Sequence, residues 1–222
     1  MTRISRYLPL LSLLLFCVPF ASAQSSVDFN LGFGTAFDKA TGLGIEGLDS
    51  ANALGTCTVS SADPTCQPTP KLNGFFMGFG MNLMLYKRFG VGGQVSVTPV
   101  KSDYGPLQFR QTFYDFNGIF APVNQKKIAV LLEGGIGGAK TGFSFTQSGC
   151  VGTAICSTQS QPVGSSNHFQ VHAGIGVQIY VTEHVFIRPQ FDLHYVPGFT
   201  DQFGSNAAPA AMVWLGYTIG DR

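Results

Sequence analysis

Five kinds of side chain in this chain could do chemistry: histidines, carboxylates, serines, an arginine and cysteines. His168, His172 and His194 lie near Asp192 and Ser166, with Ser96 further back. Such a set could supply the base, the orienting carboxylate and the hydroxyl of a nucleophilic triad. His168 and His172 fall on one face of a strand and could touch a metal ion, but two histidines are an incomplete ligand set. No local nucleophile motif accompanies them. The expectation is therefore no catalytic residue, no metal and no cofactor: the protein is read as not an enzyme, and the histidines as polar lining. Arg188 poses a different question. It stands in the middle of an otherwise apolar strand, and a buried charge must be paired and hydrogen-bonded. Asp115, Glu133 and Asp192 are its candidate partners.

The cysteines bear on compartment. Cys17 lies in an N-terminal leader, with Arg3 and Arg6, an apolar stretch from Leu8 to Phe20, and the small residues Ala21-Ser22-Ala23. This reads as a secretory signal over residues 1–23, with a single domain over 24–222. The four remaining cysteines, Cys57, Cys66, Cys150 and Cys156, form two close pairs. An even count in an exported chain suggests disulfides, with local pairing favoured over the other connectivities. The leader holds two arginines and no acidic residue, so the formal charge falls from +1 to −1 without it. That balance gives no electrostatic case for nucleic acid.

The elements that position these residues are strands. His168–Val196 is two runs of strict alternation joined by Val181-Thr182-Glu183-His184. Val171, Ile175, Val177, Ile187, Phe191 and Leu193 share the apolar faces, and His172, Gln178, Arg188, Gln190, Asp192 and His194 the polar ones. A strand has a side-chain period of two, so each run has one face of each kind. The same pattern marks strands at Val27–Phe37, Lys71–Tyr86, Val91–Val100, Phe109–Phe120, Ile128–Phe145 and Pro209–Ile219. The spacing predicts eight strands whose connections alternate long and short. Long ones begin at Asp38, Lys101, Thr146 and Pro197; short ones lie at Lys87, Ala121 and Val181. A short helix or hairpin is an option within Gly44–Ala53.

A sandwich has no reason to sort its loops this way, whereas a transmembrane barrel does. The apolar faces carry Phe, Met, Leu and Val. The opposite faces are rich in Gly, Gln and Asn and too poor in Lys and Glu for a soluble exterior. Charged residues make up 11% of the chain, well below the roughly 25% of an average soluble domain. The expected fold is all-β, an eight-stranded antiparallel up-and-down transmembrane β-barrel with its polar faces inward. Its lumen should hold a network of Arg188, Glu133, Asp115, Asp192, His172 and Gln190. Asp192 shares a strand with Arg188, so the cross-barrel pair Arg188–Glu133 is the sharper expectation. The network either plugs the barrel or gates a small ion pathway, and the plug is favoured.

The strand VDFNLGFGTAF, the strand LLEGGIGGA, the hairpin HAGIGVQIYVTEHVFIRPQFDLHYV and the closing VWLGYTIG resemble the OmpA-type outer-membrane β-barrel superfamily. The resemblance implies an integral outer-membrane location, with loops extracellular and termini periplasmic. It implies contact with outer-membrane lipids, periplasmic chaperones and the barrel-assembly machinery, and an extracellular ligand met through the loops. One departure from the superfamily lies in the final strand, which ends in Ile219-Gly220-Asp221-Arg222 where members end on an aromatic, with Tyr217 its last aromatic. The roles in view are a structural or surface-interaction protein, a narrow porin-like channel, and a lipid-modifying enzyme, in that order.

Overall fold

Alternation decides which way each side chain points, and the ladder decides which strands meet. The computed structural model describes residues 25–38, 72–104, 107–151 and 155–220. The leader, the segment near 44–53 and the Cys57–Cys66 pair lie outside the described residues. The barrel strands are β1 (Ser26–Ala36), β2 (Phe75–Tyr86), β3 (Phe89–Val97), β5 (Leu107–Asn124), β6 (Ile128–Val151), β7 (Ile155–Tyr180), β8 (Val185–Tyr195) and β9 (Ala207–Gly220). A three-residue strand β4 (Ser102–Tyr104) pairs only with the start of β5. Each barrel strand is antiparallel to its neighbours, and β3 pairs with β5 to close the ring. Eight strands therefore form an up-and-down barrel with no open edge in its wall. Closure satisfies the backbone inside the sheet, as a hydrocarbon surrounding demands.

The two faces separate sharply. On β5, Phe116 is 74% exposed while the adjacent Asp115 is 3% exposed. Along β8 every second residue is buried, from Phe186 through Arg188, Gln190 and Asp192 to His194. The outer wall carries Phe29, Phe79, Met81, Val95, Leu132, Ile136, Val171, Ile175, Phe191 and Leu215, all exposed. A continuous belt of this size far exceeds the apolar patches of soluble monomers. Aromatic residues gather at its margins. Tyr86, Phe89 and Tyr217 lie toward the short turns, and Phe37, Phe75, Phe169 and Tyr195 toward the long loops. Phe89 stacks on Phe120 at 5.1 Å. Such girdles suit the interfacial zones of a bilayer.

The connection beginning at Lys101, expected as a loop, carries the short strand β4, and two larger elements also differ from expectation. The segment Thr146–Ser165 is expected as a loop, yet β6 and β7 continue as a paired ladder out to Val151↔Ile155. Backbone pairing needs no apolar face once the chain has left the apolar belt, and this stretch is rich in Thr and Ser, which a two-stranded ribbon tolerates. The register sets Cys150 opposite Cys156 within it. The second difference lies in the connection Pro197–Ala208, expected as a polar loop. It contains one helical turn, α1 (Thr200–Phe203), ended by Gly204 at φ 71°. That left-handed conformation favours glycine. Asn206 pins the turn: its side-chain oxygen accepts from the Thr200 backbone N–H at 3.1 Å and from the Thr200 hydroxyl at 2.9 Å.

Candidate functional site

The candidate site is the lumen between β3, β5, β6, β7 and β8. Arg188 is 1% exposed. Its Nη1 lies 3.3 Å from Glu133 Oε1, two strands away on β6. With the Asn82 amide oriented oxygen-first, Nη1 also donates to Asn82 at 2.7 Å. The guanidinium stands 5.6 Å from the Trp214 ring centroid, within reach of a cation–π contact. Gln190 ties this pair to the next layer. Its Nε2 donates to Asp192 Oδ1 at 2.7 Å and reaches Glu133 Oε2 and Gln94 Oε1 at 3.4 Å each. Asp192 therefore pairs away from Arg188, and its Oδ1 sits 2.9 Å from His172 Nε2.

The second layer is built on rungs of the ladder. Asn117, Gly135, His172 and His194 are successive register partners across β5, β6, β7 and β8. His172 Nδ1 lies 2.9 Å from Asn117 Oδ1. Asp115 accepts from Gln94 Nε2 at 3.4 Å and from Gln170 Nε2 in a short contact. His194 stacks between His172 at 5.0 Å and Phe113 at 4.4 Å, ring centroid to ring centroid. Space for Asp192 comes from Gly174, directly opposite it, where a Cβ would stand 2.5 Å from Asp192 Oδ1. A larger residue there would drive the carboxylate off His172.

All six residues expected in the lumen network, Arg188, Glu133, Asp115, Asp192, His172 and Gln190, are buried inside the barrel. The other residues weighed for catalysis stand elsewhere. Ser96 sits on the rung of Phe113, and Ser166 on that of Thr141. His168 is half-buried nearer the loops, with its ring edge-on to Phe199 at 5.9 Å.

Sequence reasoning missed an aromatic plug. Phe76, Phe109, Phe113, Phe199 and Phe203 are each no more than 1% exposed and close the lumen at its loop end. Phe199 and Phe203 stack at 4.8 Å, and Phe109 meets Phe203 at 5.9 Å. The signal for Phe109 and Phe113 was available, since they share parity with Gln111 and Asp115. Phe199 and Phe203 gave none, because a loop has no side-chain period. At the turn end a smaller group of Met84, Ile119, Ala121 and Leu131 fills the lumen. A recess beside it, lined by Asp28 and Gln178, measures only about 10 Å³, barely room for one water.

Several solved structures share this architecture. Ail, the attachment invasion locus protein of Yersinia pestis, matches in complex with the heparin analogue sucrose octasulfate. The TM-score is 0.53 at 12% identity, covering 88% of this chain and 99% of that one. A second structure of Ail matches with a TM-score of 0.50 at 16% identity over 89% and 100%. The fold is that of a small eight-stranded outer-membrane β-barrel. The N-terminal barrel domain of Pseudomonas aeruginosa OprF is more distant, with a TM-score of 0.45 at 10% identity over 89% of this chain and 98% of that one. No protein-family model and no curated protein sequence matches this chain. The outer-membrane barrel explains the apolar belt, the aromatic margins and the inward polar network together.

Proposed function

We propose that the chain is a sealed outer-membrane scaffold whose task lies at its loop end, as a structural or surface-interaction protein. The observation that carries this reading is the double closure of the lumen. A buried polar network fills its middle and five phenylalanines stop its loop end. A narrow channel would need the plug and the Arg188–Glu133 pair to part together. In this reading the turns and both chain ends face the periplasm, and the β6–β7 ribbon projects outside. Chaperones and the barrel-assembly machinery act on the chain before it is folded. The barrel has no catalytic role. The cysteine pairs, once oxidised, brace the outer loops.

Loops on a rigid scaffold are where contact residues accumulate. Lys101, Arg110 and Lys140 stand at the loop end of this barrel; Lys101 Nζ donates to Ser144 and Ser160. An anionic glycan analogue such as sucrose octasulfate is therefore the first ligand to try. Planar-bilayer recording on the folded barrel tests the reading. The expected result is no conductance above the bare membrane. Regular single-channel steps, altered by Glu133→Gln, would overturn it in favour of the channel. Turnover of lipid A by the purified barrel, abolished by His172→Ala, would overturn it in favour of an enzyme.

A further inference from the structure

We propose that the lumen binds one divalent transition-metal ion of the Zn²⁺ class, held by Asp115, His172 and His194 directly beneath the aromatic plug. This goes beyond the scaffold reading and stands whether or not the barrel conducts. One ligand atom from each residue lies within 4.8 Å of the other two, and all three residues are buried. Zn–N and Zn–O bonds of about 2.0–2.2 Å place tetrahedral ligand atoms roughly 3.4 Å apart. The three side chains thus need to draw in only a little.

Three further observations point to a cation at this place. First, His194 is 4% exposed, and its Nδ1 has no hydrogen-bond partner among the described residues. That nitrogen faces Asp115 Oδ1 at 3.9 Å, too long for a hydrogen bond and suited to an ion between them. Second, with Asn117 Oδ1 accepting from Nδ1–H of His172, the lone pair of Nε2 points at Asp192 Oδ1 only 2.9 Å away. The Gln94 amide, whose Nε2 stands 3.4 Å from the same nitrogen, offers that lone pair a donor, and a cation beside the two atoms would relieve their repulsion further. A neutral histidine oriented through its other nitrogen by a neighbouring oxygen is the usual arrangement around metals. Third, the carboxylates of Asp115, Glu133 and Asp192 share this part of the lumen with the single guanidinium of Arg188. A dication would neutralise the remainder, where unpaired buried charge is costly.

The donor set narrows the ion. Two imidazoles with carboxylate suit Zn²⁺ and its first-row neighbours, whereas Ca²⁺ and Mg²⁺ prefer all-oxygen shells. Gln94, Gln170 and Gln190 supply the hydrogen bonds that hold Asp115 and Asp192 in place. The Phe113 ring covers His194 from the loop side. The competing arrangement is a protonated His172 balanced by Asp192, with no metal.

The test uses the folded, chelator-stripped full barrel, identified by its heat-shifted gel mobility. It is unfolded in urea, refolded in the presence of Co²⁺ or Zn²⁺ so that the lumen closes around the ion, and desalted. Metal content and the visible absorption of Co²⁺ are then measured. The expected result is one ion per barrel with a nitrogen-ligand spectrum that is lost when excess Zn²⁺ is present during refolding. His194→Ala and Asp115→Asn should lose the ion, and Asn117→Ala should weaken it by about 10–100-fold. His184→Ala, on the exposed turn, should leave it unchanged. Failure of the wild-type barrel to take up the ion would overturn the proposal, as would full retention in folded His194→Ala and Asp115→Asn. Should those two variants not fold, the wild-type stoichiometry and Co²⁺ spectrum decide alone.

Discussion

The two ends of the lumen are closed by different means. At the turn end Met84, Ile119, Ala121 and Leu131 come from the strands β2, β5 and β6. At the loop end Phe76, Phe109 and Phe113 also come from strands, but Phe199 and Phe203 are delivered by the β8–β9 connection. The turn-end closure is thus part of the wall. The loop-end closure is partly a separate piece, held by α1 and the Asn206 contacts. A stopper on a connection can be displaced without dismantling the barrel, whereas one made of strand residues cannot. The polar layer of Arg188, Glu133, Gln190 and Asp192 lies between them.

The largest test of this picture removes the charge between the two closures. Arg188→Met leaves Glu133 buried without its partner and should cost about 3–5 kcal/mol in urea-dependent folding into vesicles. Adding Glu133→Gln should restore much of the loss; if the double variant stays as unstable as the single one, the pair is not what holds this layer. Phe113→Ala comes next, at about 3–4 kcal/mol, because a strand-borne ring packed on Phe76 and His194 leaves a cavity that the wall cannot collapse into.

Phe203→Ala should cost less, about 2–3 kcal/mol, since a connection can settle into the space. Combined with Phe199→Ala it should leave conductance at the bare-membrane level and the gel shift of the folded barrel intact, because the strand-borne rings and the Arg188–Glu133 pair still fill the lumen. Equal losses for Phe113→Ala and Phe203→Ala would erase the distinction between a wall and a separate stopper. Met84→Ala at the turn end should cost about 2 kcal/mol and leave conductance unchanged. The smallest effect belongs outside the lumen. Phe116→Leu exchanges one apolar side chain for another against lipid and should stay within about 0.5 kcal/mol in the same folding assay.

The legibility of the sequence follows the same division. Period-two alternation places Arg188, Gln190 and Asp192 inside and Ile187, Phe191 and Leu193 outside, and the structure has them so. The pairing of Arg188 with Glu133 was within reach because a barrel cannot leave its one mid-lumen arginine alone. Pairing across the ring is harder to read. Asp115 and His194 meet only because the wall curves round, and no spacing along the chain records that distance. Phe109 and Phe113 break the rule that inward means polar, because a plug needs no hydrogen bonds. Phe199 and Phe203 lie beyond any period, and the ladder through Thr146–Ser165 forms from backbone groups, to which hydropathy is blind.

The ribbon beyond the wall has an edge problem that the wall itself lacks. β8 begins to pair with β7 only at Val171, and β5 pairs with β6 no further than Phe145. Past those points, among the described residues, each ribbon strand has one side that no other strand occupies. Rows of outward N–H and C=O groups are templates for a foreign strand. Two features of this ribbon work against such templating. Pro162 has no N–H to offer, and the register shift at Phe143/Ser144 bends the edge away from a flat line. In a crowded membrane the same two features disfavour pairing between the ribbons of neighbouring copies.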